Sequence, residues 1–190
     1  MSNRESGFDG NDKYLTKQEV KKLFAVIETK RDRAIFHVIY FHGLRASEVG
    51  QLQLGSYNPA DRRLYIRRLK GSLASNPEVS RATHLYLSKW IKERGSQPGP
   101  LFPSSRGTGI SRKQIFELMR KYCVAAAIDR AKAHPHALKH SVATHLLNAG
   151  VDLYTVKKLL GHKKITSTEV YLHVADSQVD SAARRFQDEW

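Results

Sequence analysis

Apolar residues recur along this chain with two different periods. Val20, Leu23, Phe24 and Ile27 fall on one face at helical spacing, and Thr16-Lys17-Gln18-Glu19 just ahead of them is a capping-box signature. Asp32 can cap a second helix whose apolar residues (Ile35, Phe36, Val38, Ile39, Phe41) run up to a stop at Gly43. A short helix over about 47–52 comes next. The period then drops to two: residues 63–69 alternate, and residues 83–87 do the same after a stretch of turn formers, GSLASNPE. These two segments predict neighbouring antiparallel strands with a flexible tip. A helix through Trp90 ends at Gly95, and residues 96–110 form a Pro/Gly/Ser loop anchored by Leu101 and Phe102. Ser111 caps a helix running to about 127. Helices over 136–149, 153–160 and 167–174 follow, with a last amphipathic helix over 177–186. No internal repeat is visible. The pattern predicts a mainly α architecture with one small antiparallel β-sheet.

Composition narrows the partner. A chain of 190 residues suits one domain, and Cys123 as its one cysteine permits no intrachain disulfide, which fits a reducing compartment. No apolar run approaches the ~20 residues needed to span a bilayer, and the polar first 13 residues carry no signal-peptide stretch. The expectation is a cytoplasmic protein without a membrane partner. Charge says more: 32 Lys+Arg against 18 Asp+Glu gives +14. Such an excess points to a polyanion, nucleic acid first.

The candidate chemistry sits in HPHALKHSVATHLLNAGVDLYTVKKLLGHKKITSTEVYLHV, residues 134–174. His136 and Lys139, three apart at a helix start, share a face and can point at one anion. Tyr171 is a potential nucleophile toward phosphorus, and His162 after the Gly161 stop can lie beside it. Upstream, Arg45 follows Gly43 and has Glu48 three residues on, an arrangement for a phosphate-gripping guanidinium held by a carboxylate. Lys70 ends the first predicted strand. Each has a plainer reading as a packing tyrosine, a helix-end histidine, a surface ion pair or a solvated lysine. His136 and His140 have metal-ligand spacing, but neither an HExxH glutamate nor any other acid stands among these histidines, so no metal is expected.

Taken in order, GLRASE, a strand-borne lysine, HxxK-HS, LLGH and a late tyrosine resemble the signature of the tyrosine recombinases, or phage-type integrases. The similarity runs from about residue 14 to 174 and is densest over 136–175, which resembles the end of Xer-like catalytic domains. That resemblance implies the tyrosine recombinase catalytic-domain fold over residues 14–176. The residues before it, 1–13, are rich in Gly, Asn, Asp and Ser with almost nothing to bury, and their composition predicts a disordered tail. Residues 177–190 would form a C-terminal helix packed in cis or exchanged between protomers. In length the chain resembles stand-alone members such as the fimbrial-switch recombinases, or an excised catalytic domain.

The resemblance also implies roles. Arg45 is the first catalytic arginine, Lys70 the hairpin lysine and His136 the start of the His-x-x-Arg box; His162 fills the second His/Trp position and Tyr171 is the nucleophile. Lys139 departs from the pattern, standing where the family has its second arginine; it keeps the charge but not the planar two-point grip. The implied activity is site-specific DNA recombination through a 3′-phosphotyrosyl intermediate, with His136 the better candidate to take the tyrosine proton. It needs neither metal, ATP nor another cofactor, and no small-molecule substrate. The implied partner is double-stranded DNA, bound by a monomer that forms a homo-tetramer on paired sites. Two alternatives stay open: a cleavage-impaired DNA-binding accessory protein of the same fold, and a relaxing enzyme of the type IB topoisomerase kind.

Overall fold

Most of the longer helices begin where a side chain can satisfy their free amides. The computed structural model describes residues 14–68, 74–162, 168 and 171. The predicted tail, Lys70, the C-terminal helix, and the helix over 167–174 apart from two positions therefore lie outside the described residues. In α1 (Lys17–Ala25) the Thr16 hydroxyl accepts from the Glu19 amide while the Glu19 carboxylate accepts from the Thr16 amide, a complete capping box.

Helix α2 (Lys30–His42) starts earlier than expected: its cap is Thr29, whose hydroxyl accepts from the Asp32 amide. Asp32 lies inside the first turn and is buried, accepting a 2.7 Å hydrogen bond from the Tyr122 hydroxyl. Ala34, Ile35, Phe36, His37, Val38 and Ile39 are all buried, so α2 is covered round most of its circumference. It is the central helix, contacting α3 (Ala46–Val49), α4 (Arg81–Arg94) and α6 (Pro135–Asn148).

The sheet is small. After a 3₁₀ turn (Leu54–Ser56), β1 (Tyr57–Asn58) pairs antiparallel with β2 (Arg63–Leu64) in the register Tyr57↔Leu64, Asn58↔Arg63. Single bridges Arg63↔Glu78 and Ile66↔Ser75 extend the pairing on the other side. Alternation holds as expected, with Leu64, Ile66 and Arg68 buried and Arg63, Tyr65 and Arg67 exposed.

The second predicted strand is a correction. Residues 83–87 belong to α4, whose cap Ser80 accepts from the Thr83 amide. Thr83, Leu87 and Trp90, spaced four and three apart, are its buried residues. Their helical period wins over the short Thr-His-Leu-Tyr-Leu alternation because the strand's neighbours are already supplied by 57–58 and 75–78.

Leu101 and Phe102 are fully buried in the loop that leads to α5 (Arg112–Ala125), capped by Ser111. A 3₁₀ turn (Arg130–Lys132) precedes α6, where the His134 imidazole accepts from the Ala137 amide and Pro135 occupies the first turn. Helix α7 (Leu153–Leu160) is capped by Asp152 and ends at Gly161 in the left-handed conformation. The main core is built on α2. A smaller apolar cluster of Val142, Ala143, Leu147, Val156 and Leu160 joins α6 to α7 and includes Tyr171.

Candidate active site

Gly43 ends α2 at φ +58, and a Cβ there would come within 2.8 Å of Leu160 Cδ2, so the ends of α2 and α7 meet at a residue without a side chain. The chain then turns into α3 with Arg45 at its N-cap position. Glu48, in the first turn, is wholly buried. Its Oε2 accepts from the Arg45 backbone amide at 2.7 Å and its Oε1 from Arg45 Nη1 at 2.9 Å. Burial pushes the Glu48 carboxyl up, but the Arg45 amide and the charges of Arg68, Lys139 and Arg45 outweigh it and hold it below the ordinary carboxylate value.

Arg45 opens onto a cavity of about 500 Å³ that it shares with Arg112, His134, His136 and Lys139. No carboxylate lines it among the described residues. Lys139 is 2% exposed, and its Nζ donates to the Leu160 carbonyl at 2.9 Å, at the C-terminal end of α7. Burial, then the charges of Arg45 and Arg68, lower its pKa to about 7. His136 is lowered by burial first and by Lys139, His134, Arg45 and Arg112 after it. A cavity walled by cations and imidazoles, with its acid turned inward, is built to receive a charge of the opposite sign.

His162 follows Gly161 and is buried, its Nδ1 sharing a 3.0 Å hydrogen bond with the Thr168 hydroxyl. Burial first, then the charges of Lys139, Arg45 and Arg68, lower it to about 4, so it is a neutral imidazole at neutral pH. Tyr171 is 4% exposed, and burial raises its pKa well above the ordinary phenol value. Its hydroxyl meets His140 Nδ1 at 2.6 Å, and the His140 ring stands edge-on to His136 with centroids 4.3 Å apart. Among the described residues no group of three His, Cys, Asp or Glu is arranged to hold a metal ion.

Of the six residues picked from the sequence, the structure therefore brings Arg45, His136 and Lys139 to one cavity. His162 does not line that cavity but is close enough to Lys139 to feel its charge, Tyr171 lies one imidazole away from His136, and Lys70 is outside the described residues. Two further residues belong here. His140 holds the tyrosine hydroxyl; its place directly after Lys139 was the available signal. Arg68 contacts Glu48; its signal was the alternation that puts it on the inward face with Leu64 and Ile66.

The chain matches the phage integrase family over residues 13–178. It is 34% identical over 171 residues to the tyrosine recombinase XerC of Erythrobacter litoralis (strain HTCC2594), covering 85% of this chain and 55% of that protein. It is 33% identical over 179 residues to the tyrosine recombinase XerD of Proteus mirabilis, with 88% and 56% covered. The crystal structure of XerA recombinase superposes with a TM-score of 0.78 at 26% identity, over 91% of this chain and 64% of that one. XerH site-specific recombinase bound to difH substrate superposes with a TM-score of 0.76 at 24% identity, over 90% and 53%, a likeness of fold. The chain thus spans little more than half the length of these curated relatives.

Proposed function

Because the chain belongs to the phage integrase family, we propose that it is a site-specific DNA recombinase, cutting and rejoining strands through a 3′-phosphotyrosyl link on Tyr171. The observation that carries the proposal is the cavity of Arg45, His136 and Lys139, free of carboxylates among the described residues and adjacent to a tyrosine held by an imidazole.

In the first step Tyr171 Oη bonds to phosphorus and the bond to the 5′-oxygen breaks. The phenol proton passes to an imidazole. His140, which contacts the hydroxyl, is better placed for it than His136, which stands behind. Arg45, Lys139 and His136 face the non-bridging oxygens, with His162 as a further donor, and they stabilise the charge of the five-coordinate transition state. Lys70 protonates the departing 5′-oxygen. A 5′-hydroxyl from a partner strand then reverses the step, so the phosphotyrosine conserves the bond and no nucleotide is consumed. Tyr171 is 4% exposed, so DNA binding must open its hydroxyl to the scissile phosphate while His140 stays within reach of the proton. Partner and assembly follow: double-stranded DNA, gripped by the remaining Lys/Arg excess, and a tetramer on two paired sites formed from free monomers. Among the described residues no helix is long and apolar enough to cross a membrane.

The test is a duplex nicked close to the cleavage position, so that the released fragment diffuses away and the covalent complex accumulates. Wild type should trap a protein–DNA adduct that Tyr171→Phe abolishes. Specific DNA binding without any adduct would instead identify an accessory protein, and relaxation of supercoiled plasmid regardless of sequence a topoisomerase-like enzyme.

A further inference from the structure

Arg68 is the third member of the inward-facing series Leu64, Ile66, Arg68, and its side chain is 1% exposed. A guanidinium is rarely buried so fully unless paired. Arg68 Nη1 donates to Glu48 Oε2 at 2.9 Å and to the Gly43 carbonyl at 3.2 Å, while Nη2 donates to the carbonyls of His42 (3.1 Å) and Leu159 (2.8 Å). It thus ties together the end of α2, the first turn of α3 and the end of α7. These segments lead into Arg45 and His162, and the next carbonyl of α7, that of Leu160, holds Lys139.

The charge count matters more than the ties. Glu48 is shared by two guanidiniums, Arg45 and Arg68. Facing Arg45 alone, its carboxylate would cancel the very charge that the cavity presents to a phosphate. With Arg68 behind it, two positive charges meet one negative and the trio remains cationic.

We infer that Arg68 is a positioning residue for DNA cleavage: it locks Glu48 onto the Arg45 backbone and offsets the Glu48 charge, so that the Arg45 guanidinium keeps its full pull on the phosphate. The inference rests on the recombinase reading and assigns to Arg68 a part independent of contact with DNA.

The experiment compares single-turnover cleavage of the nicked duplex carrying either the ordinary phosphodiester or an uncharged methylphosphonate at the scissile position. Arg68→Met should slow phosphodiester cleavage by roughly a hundredfold, the scale of losing one transition-state donor, and methylphosphonate cleavage by less than about tenfold. Arg68→Lys, which keeps the charge, should fall between Arg68→Met and wild type. Removing the opposing carboxylate as well, in Glu48→Gln/Arg68→Met, should recover at least about tenfold over Arg68→Met on the phosphodiester. Equal losses on both substrates overturn the inference, as does a double variant no faster than Arg68→Met. Should Arg68→Met not fold, Arg68→Lys and the double variant carry the same comparison. If wild type forms no Tyr171-linked adduct, the recombinase reading falls by itself. The charge role is then read from binding in the Tyr171→Phe background, to duplexes recovered by selection. Arg68→Met must lose the preference for phosphodiester over methylphosphonate, and a retained preference overturns the role.

Discussion

Replacing Lys139 by arginine should change the pH dependence of cleavage more than its size. Lys139 carries a buried ammonium whose pKa is lowered to about 7 by burial and by Arg45 and Arg68. At that value roughly nine-tenths of the free protein holds the charge at pH 6 and roughly one-tenth at pH 8. The cationic form is lost as pH rises, so the Lys139 contribution to transition-state stabilisation fades above pH 7. A guanidinium stays charged throughout, and the cavity beside Lys139 has room for it. The ratio of the Lys139→Arg rate to the wild-type rate should therefore climb by roughly tenfold between pH 6 and pH 8. Tyr171 is common to both proteins, and His162, lowered to about 4, is a neutral imidazole across this range in both. The assay is the second-order rate constant for adduct formation on the nicked duplex at limiting protein, which reports groups of the free protein. A ratio constant from pH 6 to pH 9 would refute the reasoning.

Linkage supplies a check that involves no DNA. The folded-state pKa of Lys139 is lowered, so its ionisation withdraws stability as pH falls. From 10.5 to about 7 the full shift is worth at most about 5 kcal/mol. About 2 kcal/mol of that should be lost between pH 9 and pH 7.5 in wild type, above the range where the lowered histidines contribute, and most of that slope should be lost in Lys139→Met.

Two other predictions concern stability. Gly161→Ala meets both a φ of +69 and the Arg68 side chain, whose Nε would lie 2.8 Å from the new Cβ; it should lose about 2 kcal/mol or more in urea unfolding. Gly150→Ala, at φ +86 with open space around it, should lose only about 1 kcal/mol and serves as the control. Tyr122→Phe strips the buried Asp32 carboxylate of its 2.7 Å donor. It should destabilise by about 1–3 kcal/mol while leaving cleavage per folded molecule unchanged, since neither residue lines the cavity; a loss of cleavage without loss of stability would contradict this.

Much of the fold could be read locally. Thr16, Ser111 and Asp152 cap helices through amides three residues away, and Gly43 and Gly161 end helices in a conformation that other residues resist. These are short-range effects, and so was the alternation that predicted a strand from residue 63. The same short range misled at residues 83–87, where a five-residue alternation fits strand or helix, and what decides is which partners the strand before it already has. At Asp32 a residue suited to capping is instead a buried acceptor for Tyr122, ninety positions along the chain.

The sequence by itself determined the basic character of the chain, its mainly helical architecture and the order of Arg45, His136, Lys139, His162 and Tyr171. Local spacing and side-chain chemistry suffice for those. Only the tertiary structure decided the state of these groups. It lowered Lys139 by burying it among Arg45 and Arg68, set Tyr171 against His140 rather than His136, and turned Arg68 from one basic strand residue among several into the countercharge of Glu48. Electrostatic energy in a protein depends on distance and exposure to water, and both are settled by residues far apart in the chain.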